Sequence, residues 1–543
     1  MEKSNLHIDP KSGFCSATKT FHSLKPTVEL PPQHLLLSAD AYAFSLRSGL
    51  GCPDSAALIN STTGHRLLYS EFALRSKTLA AYLQTVIGLS KGDTAFVLSS
   101  NLIQVPILYF SLLSLGVIIS PANPINTQSE ISRLIELCKP VIAFSISTAA
   151  HKLPSLHHRT VIIDSFEFDS MMTGPIRELV PVEVSQSDLA AIMYSSGTTG
   201  RVKGVMLTHR NLIAMTASIH EGQSVRSSPD VLLYTVPFFH MIGFFYCVKS
   251  VALNETVVVM ERFDLRRMLT LVEKFKVTHM AVVPPVLVAM AKGDATDNND
   301  LTSLESVSCG GAPLGKDLCQ AFTAKFPNVA IRQGYGLTES SGAVSRLLDP
   351  EECRHWGSVG RLTGIFEAKI VDPDTGLALP PCKQGELWVR GPAVMKGYVG
   401  DRKATRETLV SDGWLRTGDL CYIDGEGFLY VVDRLKELIK YKGYQVAPAE
   451  LEHLLQSHPE IVDAAVIPYP DEEAGEVPMA YVVRRPQSSL NEAQVMDFIA
   501  KQVAAYKKIR RVLFVSSIPK SPAGKILRKE LRKLAVPGSL SKL

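Results

Sequence analysis

Short apolar runs alternate with stretches of helical periodicity along most of this chain. Runs rich in β-branched residues occupy 94–100, 141–146, 256–260 and 279–285, and helical stretches separate them. Apolar strands that alternate with helices are typical of a parallel sheet whose two faces are covered. The pattern therefore predicts an α/β architecture between about residues 55 and 430.

The pattern changes towards the C-terminal end. After about residue 345, Gly and Asp turns separate short strands, which indicates a β-rich subdomain at about 345–433. A lysine-rich stretch follows it. Beyond that stretch the pattern predicts a small α+β unit with helices at 448–457 and 491–503 and strands at 464–469 and 479–484.

These changes predict the organisation of the chain. At 543 residues it is too long for a single core. We expect a loosely draped N-terminal arm at 1–35, a large domain of α/β sheets at 36–433 that includes the β-rich subdomain, and a small mobile α+β domain at 434–540.

One apolar segment, Ile103–Ala122, has the length of a membrane span. Pro106, Gly116 and several serines interrupt it, and its last residues have the character of a buried strand. We therefore predict a buried helix followed by a strand, with a membrane span as the alternative.

Composition excludes several classes of protein. Hydrophobic residues make up 46% and charged residues 20%, as in a soluble globular protein, and the net charge of +4 gives no support to nucleic-acid binding. The nine cysteines include no CxxC pair, which indicates reduced thiols and argues against a disulfide scaffold or a structural zinc site. The first residues carry charges and lack the apolar core of a secretory signal.

The segment Tyr194–Gly204, YSSGTTGRVKG, concentrates hydroxyl groups, glycines and a lysine after a strand-like run. Glycines permit backbone conformations in which several N–H groups point at one anion, and the hydroxyls and Lys203 add further donors. The segment lacks the Gly-Lys-Ser/Thr ending of a Walker loop. It therefore indicates a phosphate-binding loop of another kind, with a polar surface turn as the alternative.

Two further segments carry groups suited to a nucleotide. RQGYGLTES, at 332–340, sets Tyr335 between glycines and places Thr338 and Glu339 just after it. The ring can stack on a base, the threonine can bind a phosphate, and the carboxylate can bind Mg²⁺. In GWLRTGDL, at 413–420, Asp419 can accept from both hydroxyls of a ribose, although an Asp after Gly is also an ordinary turn residue.

Together with DRLKELIKYKGYQVAPAELE (433–452) and PKSPAGKILRKEL (519–531), these segments resemble the motifs of the adenylate-forming superfamily of acyl-CoA synthetases, adenylation domains and beetle luciferases. VPFFH, VVPPV and GGAPLGKDL make the chain most similar to plant 4-coumarate–CoA ligases and their peroxisomal relatives. The resemblance implies a ligase that uses ATP, Mg²⁺ and CoA. The carboxylate of the acid attacks the α-phosphate to give an acyl-adenylate and pyrophosphate, and CoA then displaces AMP.

The resemblance also implies the residues that hold the nucleotide. Glu339 would bind Mg²⁺, and Lys525 would bridge the substrate carboxylate and the α-phosphate during adenylation. The groups that contact ATP or AMP would be Ser195, Ser196, Gly197, Thr198, Thr199, Gly200, Lys203, Gln333, Gly334, Tyr335, Gly336, Thr338, Asp419, Arg434, Lys436, Gln445 and Lys525.

In this superfamily the C-terminal domain swings about a hinge, which here would lie within 433–436, and exchanges Lys525 for another surface. Lys440 would be a catalytic residue of the second step, and Arg262, Lys442 and Gly443 would contact CoA. A charged linker is the alternative for the lysines between 436 and 442.

The acyl pocket implied by the resemblance would be formed by Phe239, His240, Ile242, Gly310, Gly311 and Ala312, with His240 also catalytic. Hydroxycinnamate ligases carry a tyrosine where this chain has Ile242, so the pocket lacks that hydroxyl and favours apolar acids. We expect a medium- or long-chain fatty acid or an oxylipin acid of the jasmonate-precursor type. A 4-coumarate or cinnamate-type acid is the alternative, and a luciferase-like monooxygenase or a non-catalytic adenylate-binding protein are remote ones.

The last three residues, Ser541-Lys542-Leu543, form a peroxisomal address when they stand at a free C-terminus. We therefore expect the peroxisome as location and the peroxisomal import receptor as a partner. The other expected partners are a small carboxylic acid, ATP and CoA, with no nucleic acid and no membrane span.

Overall fold

A computed structural model describes residues 7–50, 54–175, 177–195, 202–221, 228–292, 296, 299–310, 314–442, 444–521 and 524–535. Within these ranges the strands form four sheets, with helices packed against them. The mixed α/β fold predicted from the sequence is confirmed.

The helices follow one another along the chain between the strands that they cover. In the described ranges they are α1 (Ala39–Gly49), α2 (Tyr69–Tyr82), α3 (Gln104–Ser114), α4 (Gln128–Cys138), α5 (Phe166–Thr173), α6 (His209–His220), α7 (Met241–Ala252), α8 (Leu265–Phe275), α9 (Pro284–Lys292), α10 (Lys316–Lys325), α11 (Arg402–Thr408), α12 (Pro448–Ser457), α13 (Glu492–Ala500) and α14 (Arg528–Leu534).

The first sheet holds the strands that flank the predicted phosphate-binding loop, Tyr194–Gly204, called the phosphate segment below. Its spatial order is β20 (Gly397–Tyr398), β10 (Lys203–Thr208), β9 (Leu189–Ser195), β6 (Ile118–Ala122), β5 (Thr94–Leu98), β7 (Ile142–Ser145) and β8 (Thr160–Ile162). The strands from β9 to β8 are parallel, whereas β10 runs antiparallel to β9 and sets Lys203 opposite Ser195. The two ends of the phosphate segment are therefore neighbours.

The second sheet carries the strands on which the Tyr335 segment is built. Its order is β17 (Arg361–Leu362), β16 (Gly342–Arg346), β15 (Ala330–Leu337), β14 (Ser306–Cys309), β13 (His279–Val282), β11 (Val231–Tyr234), β12 (Thr256–Val259), β3 (Ala56–Asn60) and β4 (Arg66–Leu68). The strands from β15 to β3 are parallel. The strands predicted at 94–100, 141–146, 256–260 and 279–285 are confirmed as β5, β7, β12 and β13.

The third sheet is antiparallel and includes part of the N-terminal arm. Its order is β1 (Phe14–Cys15), β2 (Thr20–His22), β18 (Glu367–Val371), β19 (Gly385–Arg390), β21 (Leu415–Ile423) and β22 (Leu429–Arg434). The prediction of a loosely draped arm is wrong for this part of it, because β2 pairs with β18 and Cys15 and Phe21 are buried. Two apolar side chains in a polar segment are too few to show a strand by periodicity.

The fourth sheet belongs to the C-terminal part of the chain. Its strands are β24 (Tyr444–Val446), β23 (Ile439–Tyr441), β26 (Gly475–Arg484) and β25 (Ile461–Asp471), and β27 (Arg511–Phe514) pairs with β26. The helix predicted at 448–457 is confirmed as α12, and α13 lies within the helix predicted at 491–503. The hairpin of β25 and β26 is longer than predicted, because Gly475 takes a positive φ of +77° and closes a tight turn after Asp471.

The apolar segment at 103–122 forms a helix and a strand, as predicted. Every side chain of α3 from Val105 to Leu113 is buried, and β6 lies inside the first sheet between β5 and β9. Among the helices of the described ranges, none combines the length and the apolar character needed to cross a bilayer. The eight cysteines of the described ranges are free thiols.

Candidate active site

Three side chains from two sheets meet at Asp419. The hydroxyl of Tyr335 donates to Asp419 Oδ2 at 2.6 Å, and Arg434 Nε lies 3.2 Å from Asp419 Oδ1. Asp419 and Arg434 are direct partners across β21 and β22, so the ion pair follows from the strand register. The sequence placed these three residues in separate motifs, and the structure brings them together.

The electrostatics of this group favour an acceptor for hydroxyl groups. Burial raises the pKa of Asp419, while Arg434 and the hydrogen bond from Tyr335 oppose the rise. Burial and the Asp419 charge raise the pKa of Tyr335 well above its usual range, so the phenol remains a donor. A carboxyl group held between a cation and a phenol can accept further hydrogen bonds in a fixed direction.

Close backbone approach fixes the position of Tyr335. A Cβ at Gly336 would lie 2.0 Å from the carbonyl oxygen of Gly342, so a side chain cannot be accommodated where β15 meets β16. On the side of β15 opposite to β16, a Cβ at Gly310 would lie 3.4 Å from the carbonyl oxygen of Gly334. Gly310, expected in the acyl pocket, therefore lies beside the Tyr335 segment.

A second group joins Glu339 to the phosphate segment. Tyr398 donates from its hydroxyl to Glu339 Oε1 at 3.0 Å, and Lys203 Nζ lies 4.5 Å from the centre of the Tyr398 ring. The pairing of β20 with β10 holds this arrangement. Mg²⁺ in nucleotide sites usually takes one or two carboxylates and completes its shell with phosphate oxygens and water, so a carboxylate beside a phosphate segment fits this ion.

Sequence reasoning missed Tyr398, which connects Lys203 to Glu339. The available signal was the segment KGYVG at 396–400, in which an aromatic residue follows a glycine, as Tyr335 follows Gly334. Thr338 begins a single 3₁₀ turn, Thr338–Ser340, directly before Ser341. Glu339 thereby follows Tyr335 at the end of β15.

Lys525 lies close to the group at Asp419. Its backbone N–H donates to Ser521 Oγ at 3.2 Å, and the adjacent Gly524 is packed so tightly that a Cβ there would lie 3.0 Å from Val283 Cβ. Burial lowers the pKa of Lys525 and Arg434 adds to this, while Glu437 and Asp419 act in the opposite direction. The structure thus brings this lysine near Asp419 and Arg434, which the sequence placed in other motifs.

Other residues expected at the site are exposed. Lys440 and Gln445 are direct partners in the exposed hairpin of β23 and β24. Lys442 is in the same hairpin, with Nζ 3.7 Å from Glu473, and Lys436 is exposed as well. Arg262 is exposed after β12.

Gln333 has its side chain in the core. Its Nε2 is 3.9 Å from Cys319 Sγ of α10, on the face of β15 that α10 covers. The Gln333 side chain therefore points away from the other face of β15, and only its backbone could contact a ligand there.

Three of the residues expected to bind the acid, Phe239, His240 and Ile242, lie where α7 begins. Gly243 allows the helix to start close to the preceding segment, because a Cβ there would lie 2.1 Å from the carbonyl oxygen of Pro237. Phe239, His240 and Ile242 are each half-buried at this point. Burial lowers the pKa of His240, which favours a neutral imidazole that can donate or accept a hydrogen bond.

Several predicted site residues lie outside the described residues. They are Ser196, Gly197, Thr198, Thr199 and Gly200 of the phosphate segment, Gly311 and Ala312 of the acyl pocket, Gly443 of the CoA site, and Ser541-Lys542-Leu543.

The sequence matches known families over most of its length. The profile of the AMP-binding enzyme family matches residues 47–399, and that of the AMP-binding enzyme C-terminal domain matches residues 450–525. The chain is 52% identical to 4-coumarate–CoA ligase-like 9 of Arabidopsis thaliana over 99% of this chain and 98% of that protein. It is 46% identical to peroxisomal OPC-8:0-CoA ligase 1 of the same plant, over 98% and 99%.

A solved structure shows the same fold. The chain resembles the o-succinylbenzoate–CoA synthetase of Bacillus subtilis in complex with ATP and magnesium ion, with a TM-score of 0.77 and 28% identity, over 90% of this chain and 99% of that one.

Proposed function

Because the chain belongs to the AMP-binding enzyme family and is an acid–thiol ligase of the AMP-forming type, we propose that one site on its large domain serves both half-reactions. ATP and a carboxylic acid form an acyl-adenylate there, and CoA then displaces AMP. The observation that carries this proposal is the approach of Lys525 to Asp419 and Arg434.

In the first half-reaction, negative charge concentrates where the carboxylate meets the α-phosphate. Fixed cations and donors at that point lower the barrier. Lys525 supplies the mobile cation, Asp419 and Arg434 hold the ribose, and Tyr335 lies against the adenine. Lys203 and the remainder of the phosphate segment hold the departing pyrophosphate, and Glu339 ligates Mg²⁺.

The second half-reaction needs a different surface of the C-terminal domain. We assign the boundary of this domain to residue 434, where β22 of the third sheet ends, with the fourth sheet beginning at Ile439. Rotation at 433–436 withdraws Lys525 and brings the hairpin with Lys440 and Lys442 to the adenylate. Gln445, the strand partner of Lys440, moves with it. Arg262, which is exposed after β12, contacts CoA in this step.

The substrate is a medium- or long-chain fatty acid or an oxylipin acid. This proposal is supported by Ile242 at the start of α7, and by the name of the relative that acts on OPC-8:0 at 46% identity. The same relative is named peroxisomal, and Ser541-Lys542-Leu543 is the matching address at a free C-terminus. We therefore place the reaction in the peroxisome, with the import receptor as a partner.

A cinnamate-type acid is the second candidate, and the name of the relative at 52% identity favours it. One experiment separates the candidates. Purified protein is given ATP, Mg²⁺ and CoA with C6–C18 fatty acids, cyclopentyl oxylipin acids, cinnamate or 4-coumarate, and AMP release is measured for each. We expect the fatty or oxylipin acids to have the higher kcat/KM, and a preference for 4-coumarate would overturn the assignment of the acid. Absence of AMP release with every acid would contradict the ligase itself.

A further inference from the structure

Helix α12 begins without a capping side chain of its own. Its N-cap residue is Ala447, which carries no side-chain acceptor, and Pro448 at the first helical position has no N–H. The first N–H that the helix presents is therefore that of Ala449, which is buried. Because the first N–H groups of a helix have no partner within it, this helix start needs an acceptor from elsewhere.

The acceptor comes from the large domain. Asp433 Oδ2 accepts from the Ala449 N–H at 2.9 Å, although Asp433 lies in β22 of the third sheet. Its other oxygen, Oδ1, accepts from the N–H of Arg434 at 2.7 Å. Asp433 is 6% exposed and is the strand partner of Leu420, so the sheet fixes where the carboxylate points. The two partners of this hydrogen bond therefore stand on opposite sides of the proposed hinge.

A cation of the C-terminal domain faces the same carboxylate. Burial raises the pKa of Asp433, while the charge of Arg528 and the N–H of Ala449 lower it. Arg528 is itself fixed, because Nη2 donates to both carboxylate oxygens of Glu452 at 2.7 Å and Nη1 donates to Glu437 at 2.7 Å. Such bidentate pairs hold a guanidinium in one orientation. The positive charge that Asp433 faces is therefore held in place by α12 and by the segment after the hinge.

Lys525 belongs to the same framework. Helix α14 begins at Arg528, three residues after Lys525, and Arg528 Nε donates to the carbonyl oxygen of Val466 in β25 at 3.2 Å. The start of α14, α12 and β25 are thus joined through one guanidinium. A contact that fixes the start of α12 against β22 also fixes where Lys525 stands relative to Asp419.

A small apolar cluster accompanies the hydrogen bond. Leu420 of β21 packs with Leu438 and Ala447, and Val432 and Leu435 border these three side chains. The cluster joins the third sheet to the start of α12. Three side chains bury much less apolar surface than the core of either domain, so this packing can open while both cores stay intact.

We propose that Asp433 is a positioning residue for the first half-reaction. Its carboxylate binds the start of α12 and faces Arg528, and it thereby holds the C-terminal domain in one orientation. In that orientation Lys525 lies beside Asp419 and Arg434. The contact opens before the second half-reaction, because α12 turns with the domain while β22 does not. This inference rests on the proposed function, since it assumes that one small domain presents two faces in turn.

The test measures the two half-reactions separately in Asp433→Ala, which removes both the acceptor and the charge. We expect ATP–pyrophosphate exchange to fall by about tenfold, as for the loss of a strong helix cap, because fewer molecules hold Lys525 at the nucleotide. CoA capture of a supplied acyl-adenylate should run at or above the wild-type rate, since this contact no longer has to open. A purely structural role would lower both rates, and that result or an unchanged exchange rate would overturn the proposal.

The conservative variant Asp433→Asn tests what the hydrogen bond contributes. Asn keeps an oxygen that can accept from Ala449 but loses the charge that faces Arg528 and the start of the helix. We expect exchange to fall by about two- to threefold, with CoA capture unchanged. A loss as large as that of the alanine variant would contradict the hydrogen bond as the positioning contact. If Asp433→Ala does not fold, the asparagine variant gives the same comparison of the two half-reactions.

Asn491→Ala is the matched control. Asn491 caps α13 of the same domain by accepting from the Gln494 N–H at 3.0 Å, and both partners lie on one side of the hinge. We expect this variant to change the two half-reactions by the same factor. A selective loss of exchange in the control would contradict a special role of the domain boundary. Failure of the ligase itself is distinct, because no acid would then support exchange in the wild-type protein.

Discussion

Two faces of the C-terminal part of the chain carry lysines in contrasting surroundings. Lys525 is half-buried next to Asp419 and Arg434, and burial lowers its pKa. Lys440 and Lys442 are exposed in the β23–β24 hairpin. A half-buried lysine beside fixed charges can hold an anion at one position, while exposed lysines remain available for a later step. The difference suggests why one small domain can serve two steps.

The largest expected effect comes from the buried lysine. We expect Lys525→Ala to lower ATP–pyrophosphate exchange by at least about 100-fold, because the cation between carboxylate and α-phosphate is lost. CoA capture of a supplied acyl-adenylate should continue near the wild-type rate. Normal pyrophosphate exchange in this variant would show that Lys525 does not serve the first half-reaction as proposed.

The group that Lys525 approaches should matter next. Asp419→Asn keeps the shape of the side chain but removes the charge that Arg434 pairs with. We expect KM for ATP to rise by about 10- to 100-fold, which corresponds to a loss of about 1.4 to 2.8 kcal/mol. Steady-state kinetics at saturating acid measure it, and an unchanged KM would remove Asp419 from the nucleotide site.

A smaller effect is expected on the exposed face. Lys442→Ala should raise KM for CoA by about three- to tenfold, as for the loss of one exposed charge contact, and should leave pyrophosphate exchange unchanged. Lys403→Ala is the control, since Lys403 is also exposed and pairs with a glutamate, Glu407. The division between the faces is contradicted if the 442 variant slows exchange.

The smallest effect on activity is expected at His209, whose substitution changes stability through pH. His209 is buried at the start of α6 and accepts from the Ala39 N–H at 3.0 Å. Burial lowers its pKa from 6.5 to about 4, with Asp188 opposing the shift. The folded state thus resists the proton that the unfolded chain takes up. Neutral His209 therefore contributes to the free energy of unfolding above pH 6.5. This contribution, at most about 3 kcal/mol, is lost as the pH falls towards 4.

His209→Asn should remove this part of the pH dependence of the free energy of unfolding, because Asn offers an acceptor and does not titrate. Denaturant unfolding between pH 4 and pH 7 measures the difference between the two proteins. Burial raises the pKa of Asp40 to about 6, so this group changes the free energy of unfolding with pH in the opposite direction. The wild type and the His209→Asn variant share that effect, and it cancels in the comparison. Parallel pH profiles would show that His209 takes up its proton equally readily in the folded and the unfolded chain, which would contradict the lowered pKa. Exchange activity at neutral pH serves to compare this variant with those of the two lysine faces.

Local patterns anticipated much of the site. The strands β5, β7, β12 and β13 and the helix α12 come from hydrophobic runs whose period is visible in a few residues. Tyr335 and Asp419 were found because glycines next to a functional side chain mark a backbone that approaches something closely. Such signals need no information about distant parts of the chain.

Contacts between distant segments were not foreseeable in the same way. Tyr398 is 59 residues from Glu339, yet its hydroxyl binds that carboxylate. Strand β2 pairs with β18 although it lies in a polar arm. Arg346 reads in the sequence as an ordinary surface cation at the end of a strand. Its buried surroundings come from β15 and from the helices α6 and α7.

The sequence by itself indicated the class of reaction, because the phosphate segment, the Tyr335 segment and the lysine near the C-terminus together resemble the motifs of the adenylate-forming superfamily. The tertiary structure alone decided which side chains share a site. Lys525 reaches Asp419 and Arg434 because the C-terminal part of the chain packs against Val283. Burial depends on the whole fold, and burial strengthens the electrostatic interactions among these side chains.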